Sequence, residues 1–77
     1  MKTNVLLFGM LADEIKQSTI EIENAFDTDS LLSKLKAFHP VFKDATFAIA
    51  VNMELVNGNA SIFENDEIAL LPPFAGG

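Results

Sequence analysis

The sequence predicts an α+β domain in which a mixed sheet carries one main helix on one face. Continuously apolar runs lie near both ends of the chain, Val5-Leu6-Leu7-Phe8 and Ile68-Ala69-Leu70-Leu71, and both suit central strands. Between them, Asp29 to Phe38 is the one stretch of clear helical periodicity. With 77 residues in all, the chain has room for one small core and no second domain.

Each element can be justified in order. Thr3 to Gly9 reads as a strand buried on both faces, because Val5 to Phe8 is apolar without a break. In Met10 to Gln17, Leu11 and Ile15 stand four apart among Asp13, Glu14 and Lys16, a spacing that fits one or two helical turns. Thr19-Ile20-Glu21-Ile22-Glu23 alternates with period two, the pattern of a strand with one wet face. The main helix from Asp29 to Phe38 is capped by Thr28 or Asp27, and Leu31, Leu32, Leu35 and Phe38 form its apolar stripe. His39-Pro40 ends it, since the residue before a proline is driven from the helical region.

Val41 to Asp44 is a connecting turn with a short helical piece, and Thr46 to Val51 is a third apolar strand ended by Asn52. Asn57-Gly58 marks a tight turn after Leu55-Val56. Ile62 and Phe63 offer a hydrophobic anchor, and Glu64-Asn65-Asp66-Glu67 is a turn sequence. Glu67 to Leu71 is the last strand, stopped by Pro72-Pro73. The order strand, strand, helix, strands, with the first and last strands both buried, is expected to place those two side by side in the sheet centre. That arrangement is the β-grasp, or ubiquitin-like, fold: a body of residues 1–72 and a projecting tail, 73–77.

Composition excludes several function classes. Eleven acidic residues face five lysines and no arginine, a net charge of −6. Such a surface repels phosphate backbones, which argues against nucleic acid as a partner. It favours a partner with a basic surface. The chain contains no cysteine, which removes disulfides, thiolate catalysis and cysteine-based metal sites and points to the cytoplasm. The run Val5 to Ala12 is too short to span a membrane and carries no signal-peptide pattern, so no membrane role is expected. The 49 % hydrophobic content suffices for a core and an additional apolar docking surface.

The body offers poor catalytic material. His39 is the only histidine, and its place at a helix end before a proline marks it as a structural residue. Glu21 and Glu23 read as a solvated strand face, and Asp13 and Glu14 as an exposed helical surface. Nothing singles out an acid–base pair among the carboxylates. Chemistry is therefore assigned to the ending Leu71-Pro72-Pro73-Phe74-Ala75-Gly76-Gly77.

The prolines stop strand pairing and direct the rest of the chain into a semi-stiff extended tail. Phe74 suits a partner's pocket, while Ala75, Gly76 and Gly77 let the backbone enter a channel too narrow for larger side chains. The group presented at the tip is the Gly77 carboxylate, unreactive until adenylated. It can then accept sulfur as a thiocarboxylate or an amine as an isopeptide. The plain alternative is a frayed end. A terminal glycine pair arises by chance about once in two hundred chains, and the preceding Pro-Pro makes chance the minor reading.

These residues carry a resemblance. Val5 to Glu14 looks like the first strand and short helix of the small subunit of molybdopterin synthase, the MoaD family of ubiquitin-like sulfur carriers. Ala50-Val51-Asn52-Met53-Glu54-Leu55-Val56 is similar to that family's A-V-N-x-x-x-V stretch. Asn65-Asp66-Glu67-Ile68-Ala69-Leu70-Leu71-Pro72-Pro73-Phe74-Ala75-Gly76-Gly77 matches its G-D-E-V-A-x-x-P-P-x-x-G-G ending at nearly every position. Asn65 stands where the family often has glycine, and asparagine is the next best residue for a left-handed turn. Ala12 stands where many members carry a basic residue, so an ionic contact from that helix is in doubt.

The resemblance implies that Gly77 is adenylated by a ubiquitin-activating-enzyme-like, ATP-using adenylyltransferase and receives sulfur from a donor as a thiocarboxylate. Phe74, Ala75 and Gly76 then insert into the large synthase subunit, which holds the cyclic pyranopterin monophosphate and its phosphate. This chain would bind no cofactor or metal itself. It would act as the sulfur-donor subunit of a heterotetramer whose catalytic pocket belongs to the large subunit. Phe8, Leu70 and Leu71 are assigned to partner docking. Two other readings stay open: the same fold serving another pathway, such as thiamin synthesis or protein modification, and a plain binding module without tail chemistry.

Overall fold

The computed structural model describes residues 1–72, and their elements are, in chain order, β1 (Lys2–Leu7), α1 (Gly9–Ile15), β2 (Thr19–Glu23), α2 (Thr28–Phe38), α3 (Val41–Asp44), β3 (Ala48–Val51), β4 (Glu54–Leu55) and β5 (Ile68–Leu71). The expected tail, 73–77, lies outside the described residues. The strands form a single sheet in the order β2-β1-β5-β3-β4. At its centre β1 and β5 run parallel, with Val5 opposite Ile68 and Leu7 opposite Leu70. All other pairings are antiparallel. The side-by-side pairing of first and last strands is the one expected for a β-grasp.

One face of this sheet is covered, and parity decides which residues reach it. Thr3, Val5 and Leu7 of β1, Ile20 and Ile22 of β2, and Ile68 and Leu70 of β5 all point inward and are buried. Leu31 and Leu35 of α2 and Phe42 of α3 are buried against them. In β2 the alternation between buried isoleucines and exposed Thr19, Glu21 and Glu23 follows the period-two pattern. β1 departs from expectation. It is central but not buried on both faces: Leu6 is half-buried and Phe8 exposed. The helices all lie on the other side, so the outward apolar residues of β1 have no cover within the chain.

Helix α2 starts one residue earlier than the periodicity suggested, and Asp27 is its cap. The Asp27 carboxylate accepts from the Ser30 backbone N–H at 2.8 Å and offsets one of the unpaired first-turn donors. Thr28 has a different task. Its hydroxyl accepts from the Ala60 N–H at 2.9 Å, while its own N–H donates to the Ala60 carbonyl at 2.8 Å. The long segment between β4 and β5 is thereby tied to the helix start, and Ile62 is buried in the core. Phe63 is not the anchor its composition promised, because it is 68 % exposed. Phe38 is also outside the core. That end is filled instead by fully buried Phe42, packed edge-on against Phe47 at 6.0 Å. The His39 Nδ1 accepts from the Val41 N–H at 3.1 Å, a structural role at the entry to α3.

Turn chemistry completes the frame. Asn65 has φ 73, the left-handed conformation expected of it. Beside it the Asp66 carboxylate accepts from the Phe63 N–H at 2.8 Å and from the Asn52 side-chain amide at 2.9 Å. Gly58 has φ 77, in keeping with the turn read from Asn57-Gly58.

Candidate functional site

Three of the seven exposed large hydrophobics among the described residues, Phe8, Met53 and Leu55, gather on the uncovered sheet face. Register places Leu6 opposite Ala69, Ala69 opposite Ala50, and Ala50 opposite Leu55. One row therefore crosses four strands with large residues outside and alanines in the middle. Two small side chains between two leucines make a hollow, since Cβ atoms across a sheet share one height and only side-chain length sets the relief. The result is a trough of about 320 Å³ lined by Leu6, Phe8, Ala50, Met53, Leu55, Glu67, Ala69 and Leu71. Phe8, Met53 and Leu55 are all exposed large hydrophobics. In water such a connected apolar surface is costly, which makes it a candidate docking surface.

The trough has a direction. From Glu67 the chain enters β5, which runs along the floor past Ala69 to Leu71, and it leaves the sheet at Pro72. Gly9 lies beside that exit with φ 59, and a Cβ placed on it would meet the Pro72 ring at 3.7 Å. Whatever sits on the trough is therefore positioned close to the start of segment 73–77.

The sequence-assigned docking residues separate here. Phe8 and Leu71 line the trough. Leu70 does not, and its assignment is corrected: it is fully buried, facing α2 and α3 in the core. Adjacent strand residues point to opposite faces, so Leu70 and Leu71 could not both have served. Leu6, Met53 and Leu55 were missed. The available signal was the unbroken run Val5 to Phe8, which requires an apolar outward face as well as an inward one. The assigned residues Phe74, Ala75, Gly76 and Gly77 lie outside the described residues.

Glu67 is the one titratable side chain among the described residues that line the trough. Among the described residues there is no group of three or more histidine or acidic side chains placed to hold a metal ion, and no helix is long and apolar enough to cross a membrane. The displaced carboxyl groups belong to turns. Asp27 is held below its ordinary value of 3.8 by hydrogen bonds from Ser30 and Asn59. Asp66 is held below 3.8 by the Phe63 N–H and the Asn52 amide. Both stabilise local structure, and neither faces the apolar floor.

A five-stranded β-grasp with an apolar sheet face leading to the start of its C-terminal segment defines the class of ubiquitin-like carrier and modifier domains. The chain belongs to the ThiS family, whose model it matches over residues 5–77. It is 30 % identical to the molybdopterin synthase sulfur carrier subunit of Mycobacterium tuberculosis, over 100 % of this chain and 99 % of that one. Among solved structures it is similar to a chain from the protein–protein complex of subunits 1 and 2 of the molybdopterin-converting factor of Helicobacter pylori. That match has a TM-score of 0.72 and 31 % identity, covering 100 % of both chains. The small archaeal modifier protein 1 of H. volcanii shares the fold at a TM-score of 0.81 and 21 % identity, over 95 % of this chain and 98 % of that one.

Proposed function

We propose that the chain is the sulfur-carrier subunit of molybdopterin synthase, a cytoplasmic protein that docks its apolar trough on the large synthase subunit and delivers sulfur from Gly77. The carboxylate of Gly77 attacks the α-phosphorus of ATP on an adenylyltransferase, releasing pyrophosphate and forming an acyl adenylate. Hydrosulfide delivered by a sulfur donor then attacks the acyl carbon, expels AMP and leaves a thiocarboxylate. Phe74, Ala75 and Gly76 carry that group into the large subunit, where its sulfur attacks the cyclic pyranopterin monophosphate. Hydrolysis of the acyl link returns the carboxylate, and a second carrier brings the second sulfur of the dithiolene. The pterin is held by the large subunit, two carriers flank a large-subunit dimer, and this chain holds no cofactor.

The observation that carries the reading is the coincidence of whole-length similarity to molybdopterin synthase sulfur carriers with an apolar trough ending where segment 73–77 begins. The neighbour that is itself a complex of subunits 1 and 2 supports a large subunit as the partner.

The test is intact-mass analysis of the chain incubated with the adenylyltransferase, ATP and a sulfur source. The expected product has one Gly77 oxygen replaced by sulfur, and a variant lacking Gly77 gains none. A chain that never acquires sulfur with active partners present overturns the proposal. High-mass isopeptide adducts in place of sulfur would move the chain to protein modification.

A further inference from the structure

The hairpin joining β3 to β4 has a two-residue loop, Asn52 and Met53, with φ 50 and φ 70. Positive φ at both central residues gives the turn whose twist matches its strands, and its best-suited sequence is Asn-Gly, because glycine has no Cβ to clash in the left-handed region. Asn52 conforms. Asparagine tolerates this region, and its side chain donates to Asp66 Oδ1 at 2.9 Å and accepts from the Glu67 N–H at 2.9 Å. Met53 stands where glycine fits best. Its side chain is 91 % exposed, so packing within the chain compensates almost none of the strain.

The same side chain lines the trough, and the β3–β5 register, with Val51 opposite Ile68 and Ala48 opposite Leu71, sets its hairpin near Glu67 and away from Pro72. We propose that Met53 is an affinity-determining anchor for the large synthase subunit, held at the rim of the trough against the preference of its own backbone. This rests on the reading of the trough as the large-subunit face. The occupant is set by continuity: Met53 extends the apolar lining formed by Leu6, Phe8, Leu55 and Leu71. An unbranched, polarisable thioether moulds to a partner surface better than a stiff side chain would. Met53 thereby sets how tightly the carrier binds.

The inference predicts opposite signs for folding and binding. In Met53→Gly the Cβ clash disappears, which outweighs the freedom glycine adds to the unfolded chain. The melting temperature should rise by about 3 °C while the Kd for the purified large subunit weakens about tenfold. Met53→Leu keeps an apolar anchor and the strain, so it should bind within about twofold of the parent and melt no higher. Met53→Gly binding as tightly as the parent overturns the inference. Met53→Gly that both melts lower and binds less tightly also overturns it, because the residue would then be structural. A parent chain that does not bind the large subunit at all overturns the docking assignment itself, a failure distinct from either of these.

Discussion

Truncating Leu55 to alanine separates docking from folding. The substitution removes three carbons, and at about 0.8 kcal/mol per buried methylene a complete transfer from water into a partner contributes about 2.4 kcal/mol. In the free chain Leu55 is already 36 % shielded, being 64 % exposed. Only about two-thirds of that transfer then occurs on docking, or about 1.5 kcal/mol. The Kd measured by titration calorimetry against the purified large subunit should therefore weaken about 12-fold. Folding stability should move by no more than about 0.5 kcal/mol, since Leu55 is absent from the buried core. A Kd unchanged within about twofold would refute the trough as the docking face. A loss of more than about 2 kcal/mol in urea unfolding would refute the placement of Leu55 on the solvent side.

Gly9 and the turn carboxylates give two further tests. Gly9→Ala should lower the urea midpoint by the equivalent of about 1–2 kcal/mol with an unchanged slope, because φ 59 is strained for alanine while its Cβ meets Pro72 at an ordinary 3.7 Å. Asp27 and Asp66 are both more acidic folded than unfolded, so their contribution is fully present above the unfolded value of 3.8 and is lost as pH falls through their lower folded values. Acid unfolding curves monitored by circular dichroism should show a fall in stability below pH 3.8 that is smaller in an Asp27→Asn, Asp66→Asn double variant. Identical pH dependence in the two proteins would remove these carboxylates as its source.

Much of the architecture was readable because local patterns and the fold agree. Ile20 and Ile22 alternate with charged neighbours, and Asn65 and Gly58 sit at left-handed positions. What could not be read is parity in the apolar runs. In Ile68-Ala69-Leu70-Leu71 either pair could face inward by composition, and only the pairing of Val5 with Ile68 decides that Leu70 is core and Leu71 is surface. The trough escaped for the same reason. Its floor is made by the meeting of Ala69 and Ala50, residues nineteen apart in the chain whose adjacency exists only in the sheet. Phe38 and Phe42 show a related limit. Helical spacing marked Phe38 for the core, but the short α3 brings Phe42 to that end of the core, and only one of the two is buried.

The parallel pairing of β1 with β5 has a consequence for how the protein comes into being. The strand that fills the sheet's centre is residues 68–71, and its neighbours are β1 on one side and β3 on the other. Until it arrives, β1 with β2 and β3 with β4 are separate two-stranded ribbons, each too small to be stable by itself. During synthesis the domain therefore stays unfolded until its last strand has left the ribosome, and folding requires closing a loop of more than sixty residues between Val5 and Ile68. A nascent chain cut short before β5 would have neither a completed core nor a trough. A partner that recognises the trough would thereby accept only chains synthesised as far as Leu71, the residue that lines its exit end.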